Sequence, residues 1–489
     1  MQNRRRTPAE QLARVASWLR KSGGEPRTAW PPLESVDWQA PLSHRFSFRL
    51  QNGHYADSPV AGQTLTTLLH LEAPPRWVRL MFFNDQDHPW TIDGAALAVS
   101  GAVGDGHTPI NADGVTDLSL WKRVSFNNNG LDVDPLIQAA GEVYALTVPA
   151  LPEGCDRPLF VFSDWMPVAP LARHDGGFGC LLLVRSYSDQ LVRISSGGSP
   201  HRTIRRLHAG FCADGNLTIP PWVAPQVSTV NAFSVYGIQY ISPSLGATVV
   251  GIGDSIMTSS CTTGQVSGFG VRACVSVSTS ELPVSYFNEG YPGRNSKGFC
   301  SCGIWDIEHL KPQAALIQTW SGNEPWSADM ADLSFARAMS VVDVARRSRC
   351  MPILVTPPPV FANNPEAETH RQRNRAQACA AAQRGAYLLD LDALWGTGST
   401  PNAYRREYDW GDQMHPKTPH AGWLLERLLR CYDKSSVRSR QRKRRLACGT
   451  IPSSMRFASG DSQLRVAPQR KSIIAILAAS NIAHLAVSG

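Results

Sequence analysis

Residues Ala247-Thr-Val-Val-Gly-Ile-Gly-Asp-Ser255 carry a small apolar run straight into Gly-Asp-Ser. The run predicts a strand whose end delivers one serine hydroxyl, and strand ends are where open α/β sheets place their chemistry. Gly, Asp and Ser are also ordinary turn residues, so the tripeptide alone reads equally as a bland turn. Three segments downstream decide between the two readings.

In Asn288-Glu-Gly-Tyr-Pro-Gly293-Arg-Asn-Ser296 the glycines let backbone N–H groups face a cavity that side chains would otherwise fill. Ala314-Ala-Leu-Ile-Gln-Thr-Trp-Ser-Gly-Asn323-Glu-Pro is a second apolar run ending in small residues, and it presents an amide with two N–H donors. Such an amide holds a developing oxyanion without ionising. In Asp409-Trp-Gly-Asp412-Gln-Met-His415-Pro, a carboxylate three residues before an imidazole can reach it on one turn and fix its tautomer. A serine hydroxyl is a poor nucleophile at neutral pH, so acyl transfer needs both a base within reach and donors for the oxyanion. The chain offers both.

Ser255, Gly293, Asn323 and His415 resemble the four signature residues of the SGNH hydrolases, the GDSL esterase/lipase family, and Asp412 matches the acid of that family's Asp-x-x-His block. The resemblance runs from about Leu245 to Tyr432. It implies a flavodoxin-like three-layer αβα domain, a catalytic Ser255–His415–Asp412 triad, and an oxyanion hole of Ser255, Gly293 and Asn323, with no cofactor or metal. Two departures stand out. The third block reads Ser321-Gly-Asn rather than Gly-x-Asn, and the glycine expected soon after the histidine arrives late, at Gly422. The α/β-hydrolase fold also orders its triad Ser, acid, His, but its elbow is Gly-x-Ser-x-Gly. Here Met257 replaces the second glycine, and the acid lies only three residues before the histidine.

Each site residue has a plainer alternative. Ser255 also suits a helix N-cap, Asn323 a loop brace before Pro325, and His415 a packed loop histidine with His420 as a rival base. Asp254 reads as turn support rather than a reacting group. Trp320, Trp326 and Trp410 lie near these residues, and their flat faces suit either sugar rings or packing.

With 489 residues, 43% of them hydrophobic, the chain is long enough for two cores. Residues 1–44 form an N-terminal extension in which Leu12, Val15, Ala16 and Leu19 line one side of a short amphipathic helix. From 45 to 243, short β-like runs such as Arg76–Phe83, Leu159–Phe162, Cys180–Val184 and Asn231–Tyr240 alternate with Gly, Pro, Asn and Asp turns. That spacing predicts an all-β, jelly-roll-like sandwich. From 244 to 432 the rhythm becomes strand, loop, helix, which predicts a parallel sheet covered on both faces. Its predicted helices include Ala328–Arg347, Glu366–Arg384 and a last one over Ala421–Cys431.

Residues 433–489 hold 11 Lys/Arg against 2 Asp/Glu, a net of +9, whereas the whole chain carries +8. The body is therefore near neutral, and the cluster Arg440, Arg442, Lys443, Arg444, Arg445 reads as a solvated, disordered extension rather than a nucleic-acid face. The apolar stretch Ile473–Val487 is short for a bilayer crossing and contains Asn481 and His484, so no transmembrane segment is expected. No apolar run follows the N-terminal arginines, so no secretory signal is visible. The eleven cysteines lack CxxC pairing, and Cys300-Ser-Cys302 reads as thiols rather than a metal site. These features fit a cytoplasmic protein or one exported by an unrecognised route.

The expected activity is a serine esterase acting on small acyl esters, acetyl first, on a small molecule or a glycan. A lipid esterase or lysophospholipase is the alternative within the enzyme class, and a silent glycan-binding or scaffold protein the alternative outside it. Oligomeric state is not readable from the chain.

Overall fold

The computed structural model describes residues 44–48, 61–84, 87–102, 105, 107–151, 153, 159–174, 176–190, 209–230, 235–244, 246–258, 269–280, 283–359, 364–383, 386–399, 402–409, 411 and 415–416. The predicted N-terminal helix, the Ala421–Cys431 helix, Gly422, the basic tail and the apolar stretch near the C-terminus lie outside the described residues.

Strands from the first half build two antiparallel sheets. One runs His44–Phe48, Gly237–Ser242, Trp77–Asn84, Leu159–Phe162, with Met166–Pro167 also pairing to Trp77–Asn84. The other runs Ser228–Val230, Ala209–Asp214, Gln63–Leu71, Cys180–Ser188, Gly94–Ser100, Lys122–Arg123. Side chains alternate across a strand, so Val78, Leu80 and Phe82 point to the space between the sheets and meet Leu65, Leu69, Leu182 and Val184 from the facing one. Met81, on the opposite face, together with Phe162 and Tyr236 joins the core of the second half instead. The first sheet is therefore buried on both faces.

The second half forms a five-stranded parallel sheet in the order Val284–Gly290, Ala247–Gly253, Ala314–Gln318, Met351–Val355, Tyr387–Leu389. Numbered along the chain this is 2-1-3-4-5, the flavodoxin-like order. Val250, Ile252, Ala315 and Ile317 face the helices Ser296–Leu310, Ala328–Arg347 and Pro365–Gln383. Val249, Ala314, Leu316 and Val355 face the helices Phe269–Val277 and Leu391–Trp395. The near-continuous apolar strands are what a sheet covered on both faces requires.

Two local expectations are corrected. The periodicity of Ala328–Arg347 puts Met330, Leu333, Ala336, Val341 and Val344 on one side; Val341 and Val344 are buried, but Leu333 is 44% exposed and the small residues Ala331, Ser334 and Ala338 are buried instead. The apolar run Tyr387–Leu391 reads as the last strand of the series, but the strand ends at Leu389, since Asp390 caps a short helix by accepting from Ala393 N–H at 3.3 Å.

The halves are joined by more than apolar contact. Ser47 N–H donates to Thr248 Oγ1 at 3.1 Å, Ser285 Oγ donates to Ser47 O at 3.0 Å, and Tyr236 OH donates to Glu289 Oε2 at 3.0 Å. The Phe160 ring stacks on Trp305 at 4.6 Å, and Trp305 stacks on His309 at 4.1 Å. Among the described residues no helix is long and apolar enough to cross a membrane.

Candidate active site

In a 2-1-3-4-5 sheet the strand order reverses between the first and third strands, and the crevice at their C-terminal ends is the usual binding position. The first strand ends at Gly253 and the third at Gln318, side by side. A Cβ on Gly253 would lie 2.3 Å from Gln318 Oε1, so only glycine lets that side chain cross to hold Asp254 N–H, at 3.2 Å.

Ser255 opens the short helix Ser255–Thr258. Asp254 provides the cap: its carbonyl accepts from Thr258 N–H at 3.0 Å and its Oδ1 accepts from Ile256 N–H at 2.9 Å. The capping duty therefore falls on Asp254, as the turn-support reading expected, and the Ser255 hydroxyl is left for another partner. That partner is His415. Its Nε2 lies 2.9 Å from Ser255 Oγ, across 160 residues of sequence. Asp412 lies outside the described residues.

Gly293 sits at the third position of a turn closed by Arg294 N–H donating to Tyr291 O at 3.2 Å, with φ +78°. Proline at the second position and a left-handed glycine at the third are the requirements of a type II turn, here Tyr291-Pro-Gly-Arg294. Asn295 then caps the Ser296–Leu310 helix by accepting from Gly298 N–H. Asn323 is exposed and lines the same cleft as Ser255, with Ile256, Trp320, Pro357 and Pro358 forming the apolar part of its wall.

Ser321 was not among the sequence-predicted site residues, yet it ties the three loops together. Its Oγ donates to Asp254 Oδ2 at 2.5 Å, lies 3.1 Å from Arg294 O, and accepts from Asn323 N–H at 3.1 Å. Its only trace in the sequence is the departure from Gly-x-Asn. Glu324, also buried, accepts from Ser296 N–H at the start of the Ser296–Leu310 helix. Burial pushes the Asp254 carboxyl above its ordinary value, against the hydrogen bonds from Ser321 and Ile256 and the nearby His415.

Trp320 does not present a face to solvent: it is 1% exposed and meets Trp326 edge-on at 4.9 Å. Trp410 lies outside the described residues. Cys300 and Cys302 are buried thiols outside any disulfide on the Ser296–Leu310 helix; Cys302 Sγ accepts from Arg294 Nη1 at 3.2 Å, and burial pushes Cys300 above the ordinary thiol range.

The solved structures that resemble this chain include GDSL-type hydrolases and acetylesterases. A lipolytic protein of the G-D-S-L family from Desulfitobacterium hafniense aligns at 16% identity over 37% of this chain and 97% of its own, with a TM-score of 0.30. A variant of an acetyl xylan esterase from Geobacillus stearothermophilus aligns at 19% over 38% of this chain and 93% of its own, TM-score 0.29. A GDSL-like lipase structure from Bacteroides ovatus covers more, 76% of this chain and 83% of its own, at 13% identity and TM-score 0.29. No protein-family model and no curated protein matches the sequence. At such TM-scores the likeness carries no weight for activity, which has to be argued from the site.

Proposed function

We propose that the protein is a serine carboxylic ester hydrolase that removes small acyl groups. The observation that carries this is the 2.9 Å contact between His415 Nε2 and Ser255 Oγ, at the switch point of a 2-1-3-4-5 parallel sheet. A hydroxyl freed from capping and placed against an imidazole is an activated nucleophile.

In this mechanism Ser255 Oγ attacks the ester carbonyl carbon and its proton passes to His415 Nε2. The tetrahedral oxyanion is held by the Ser255 and Gly293 N–H groups and the Asn323 amide. Collapse expels the alcohol, which takes the proton from His415, and water then releases the acyl group by the same route in reverse. Asp412 is assigned the role of orienting the imidazole. The apolar wall of Ile256, Trp320, Pro357 and Pro358 beside Ser255 favours a short acyl chain such as acetyl over a bulky one. The antiparallel half is read as a jelly-roll-like accessory domain that braces the catalytic half, supported by its two facing sheets and by the Tyr236–Glu289 and Ser47–Thr248 hydrogen bonds.

The test is hydrolysis of p-nitrophenyl acetate by the wild type beside Ser255→Ala. Loss of activity by about 10⁴-fold or more in the variant is expected. Equal activity in both proteins would sink the nucleophile assignment.

A further inference from the structure

The contacts at Ser321 fix the direction of one particular N–H bond. Asn323 Nδ2 lies 3.0 Å from Ser321 Oγ and 3.1 Å from Arg294 O, and those two oxygens lie 3.1 Å from each other. The three atoms form a nearly equilateral triangle, so the two acceptors subtend about 60° at the amide nitrogen. The two N–H bonds of a planar amide diverge by about 120°, so they cannot both point straight at acceptors so close together: either each bends by about 30° to one oxygen, or one N–H is shared between Ser321 Oγ and Arg294 O in a three-centre bond. In the shared arrangement the second N–H has no acceptor among the described residues, on a side chain that is exposed and lines the cleft with Ser255.

The direction of the Ser321 hydroxyl follows from its neighbours. Of its two acceptors, the Asp254 carboxylate at 2.5 Å outcompetes the Arg294 carbonyl at 3.1 Å, because a charged acceptor makes the shorter, stronger bond. With its proton committed to Asp254, Ser321 Oγ turns its lone pairs to Asn323, to the backbone N–H at 3.1 Å and to the side-chain amide at 3.0 Å. A glycine at this position would leave Arg294 O as the sole anchor and let the amide swing.

We propose that Ser321 is a positioning residue. Held by Asp254, it locks one N–H of Asn323 so that the other is presented to the cleft, where a substrate carbonyl becomes an oxyanion. This inference rests on the esterase reading of the same cleft and adds to it a device that a Gly-x-Asn block lacks.

The experiment is a double-mutant cycle on the full chain, with Ser321→Ala, Asn323→Ala and both together, followed by kcat and KM on p-nitrophenyl acetate. Asn323→Ala is expected to lower kcat by about 10²- to 10³-fold. Ser321→Ala should lower it about tenfold to fiftyfold with KM unchanged within about twofold, and the double variant should be no slower than Asn323→Ala. Losses that multiply in the double variant would overturn the inference, because Ser321 would then act through something other than Asn323. Ser321→Thr, which keeps the hydroxyl, should recover most of the rate; failure to do so while folded would count against it.

A second readout is independent of turnover. The Asn323 side-chain NH₂ pair is assigned in a nitrogen-15 correlation spectrum by its disappearance in Asn323→Asp. Its two proton shifts should be separated by more than those of a free primary amide in the wild type, and by the free-amide amount in Ser321→Ala. A wild-type separation no larger than that of a free amide overturns the proposal. A wild type that fails to hydrolyse the ester, or a Ser255→Ala variant that succeeds, counts against the esterase reading alone, and the spectrum still decides the orientation of the amide.

Discussion

In the antiparallel half Arg79 and Arg185 are fully buried in mid-strand, whereas in the parallel half a strand-end carboxylate, Asp254, is buried beside the cleft. Arg79 Nε donates to Gln239 Oε1 on the neighbouring strand at 2.8 Å, and its guanidinium lies over the rings of Phe162 and Trp165. Arg185 donates to Leu217 O and Val223 O above the Trp121 ring, and burial pushes its pKa down to about 10. The partners of both arginines belong to the frame of the antiparallel half. Asp254, by contrast, binds the N–H of Ile256 on one side and Ser321 on the other, and between those bonds stands Ser255 against His415. Burial is similar in the three cases; position along the strand separates a charge that holds a frame together from one that supports the Ser255–His415 contact at a strand end.

The most severe way to break that comparison is to remove the His415 imidazole. His415→Ala should lower kcat/KM on p-nitrophenyl acetate by about 10³- to 10⁴-fold, and adding it to Ser255→Ala should cost little more, because residues acting as a unit are not additive. Steady-state kinetics on the single and double variants checks this, and near-wild-type activity in His415→Ala would mean that the strand-end site is only structural.

The next largest effect concerns whether the regions are separable. Phe162, 2% exposed, comes from the antiparallel half but packs in the core shared with Val250, Phe287 and Ile307. Phe162→Ala should destabilise by about 3–5 kcal/mol. Calorimetry should show one transition moved down as a whole; two transitions with only one displaced would mean that the halves fold independently.

The smallest effect sharpens the contrast in charge. Because the folded-state pKa of Asp254 is raised, the folded protein holds its proton to higher pH than the unfolded chain does. Stability from this group is therefore present at low pH and falls as pH rises from the ordinary carboxylate value of 3.8 through the raised folded-state value. In Asp254→Asn that slope should disappear, which the difference between wild-type and variant urea unfolding, measured from pH 3.5 upward, would reveal. An unchanged slope would place the titrating group elsewhere.

Much of the parallel half was legible because its signals are local. The Ala328–Arg347 helix falls within its predicted bounds, with Ser327 capping it through Met330 N–H at 3.2 Å, and the strand ending at Gly253 is set by its own apolar run. The pairing of Ser255 with His415 was also expected, from residue types in order rather than from any local pattern. What escaped was relational. Ser321 looked like an imperfection because its value lies in three partners from three loops, none inferable from the residue itself. Trp320 read as a possible platform because sequence proximity to a site says nothing about which way a ring is buried. The strand pairing of the antiparallel half was equally hidden, since its hydrogen bonds join segments far apart in the chain.

One of those pairings bears on the order of events during folding. The strand His44–Phe48, the earliest in the chain among the described residues, pairs with Gly237–Ser242, and Ser47 is held from 201 and 238 residues away by Thr248 and Ser285. The parallel half, built from strand–helix–strand steps, closes short loops, whereas seating His44–Phe48 closes a very long one and must wait until its receptors exist. A nascent chain therefore carries this strand unpaired until Thr248, 201 residues beyond Ser47, has been made. Its arrival fastens both halves in a single step, at a seam made from one of the oldest segments of the chain.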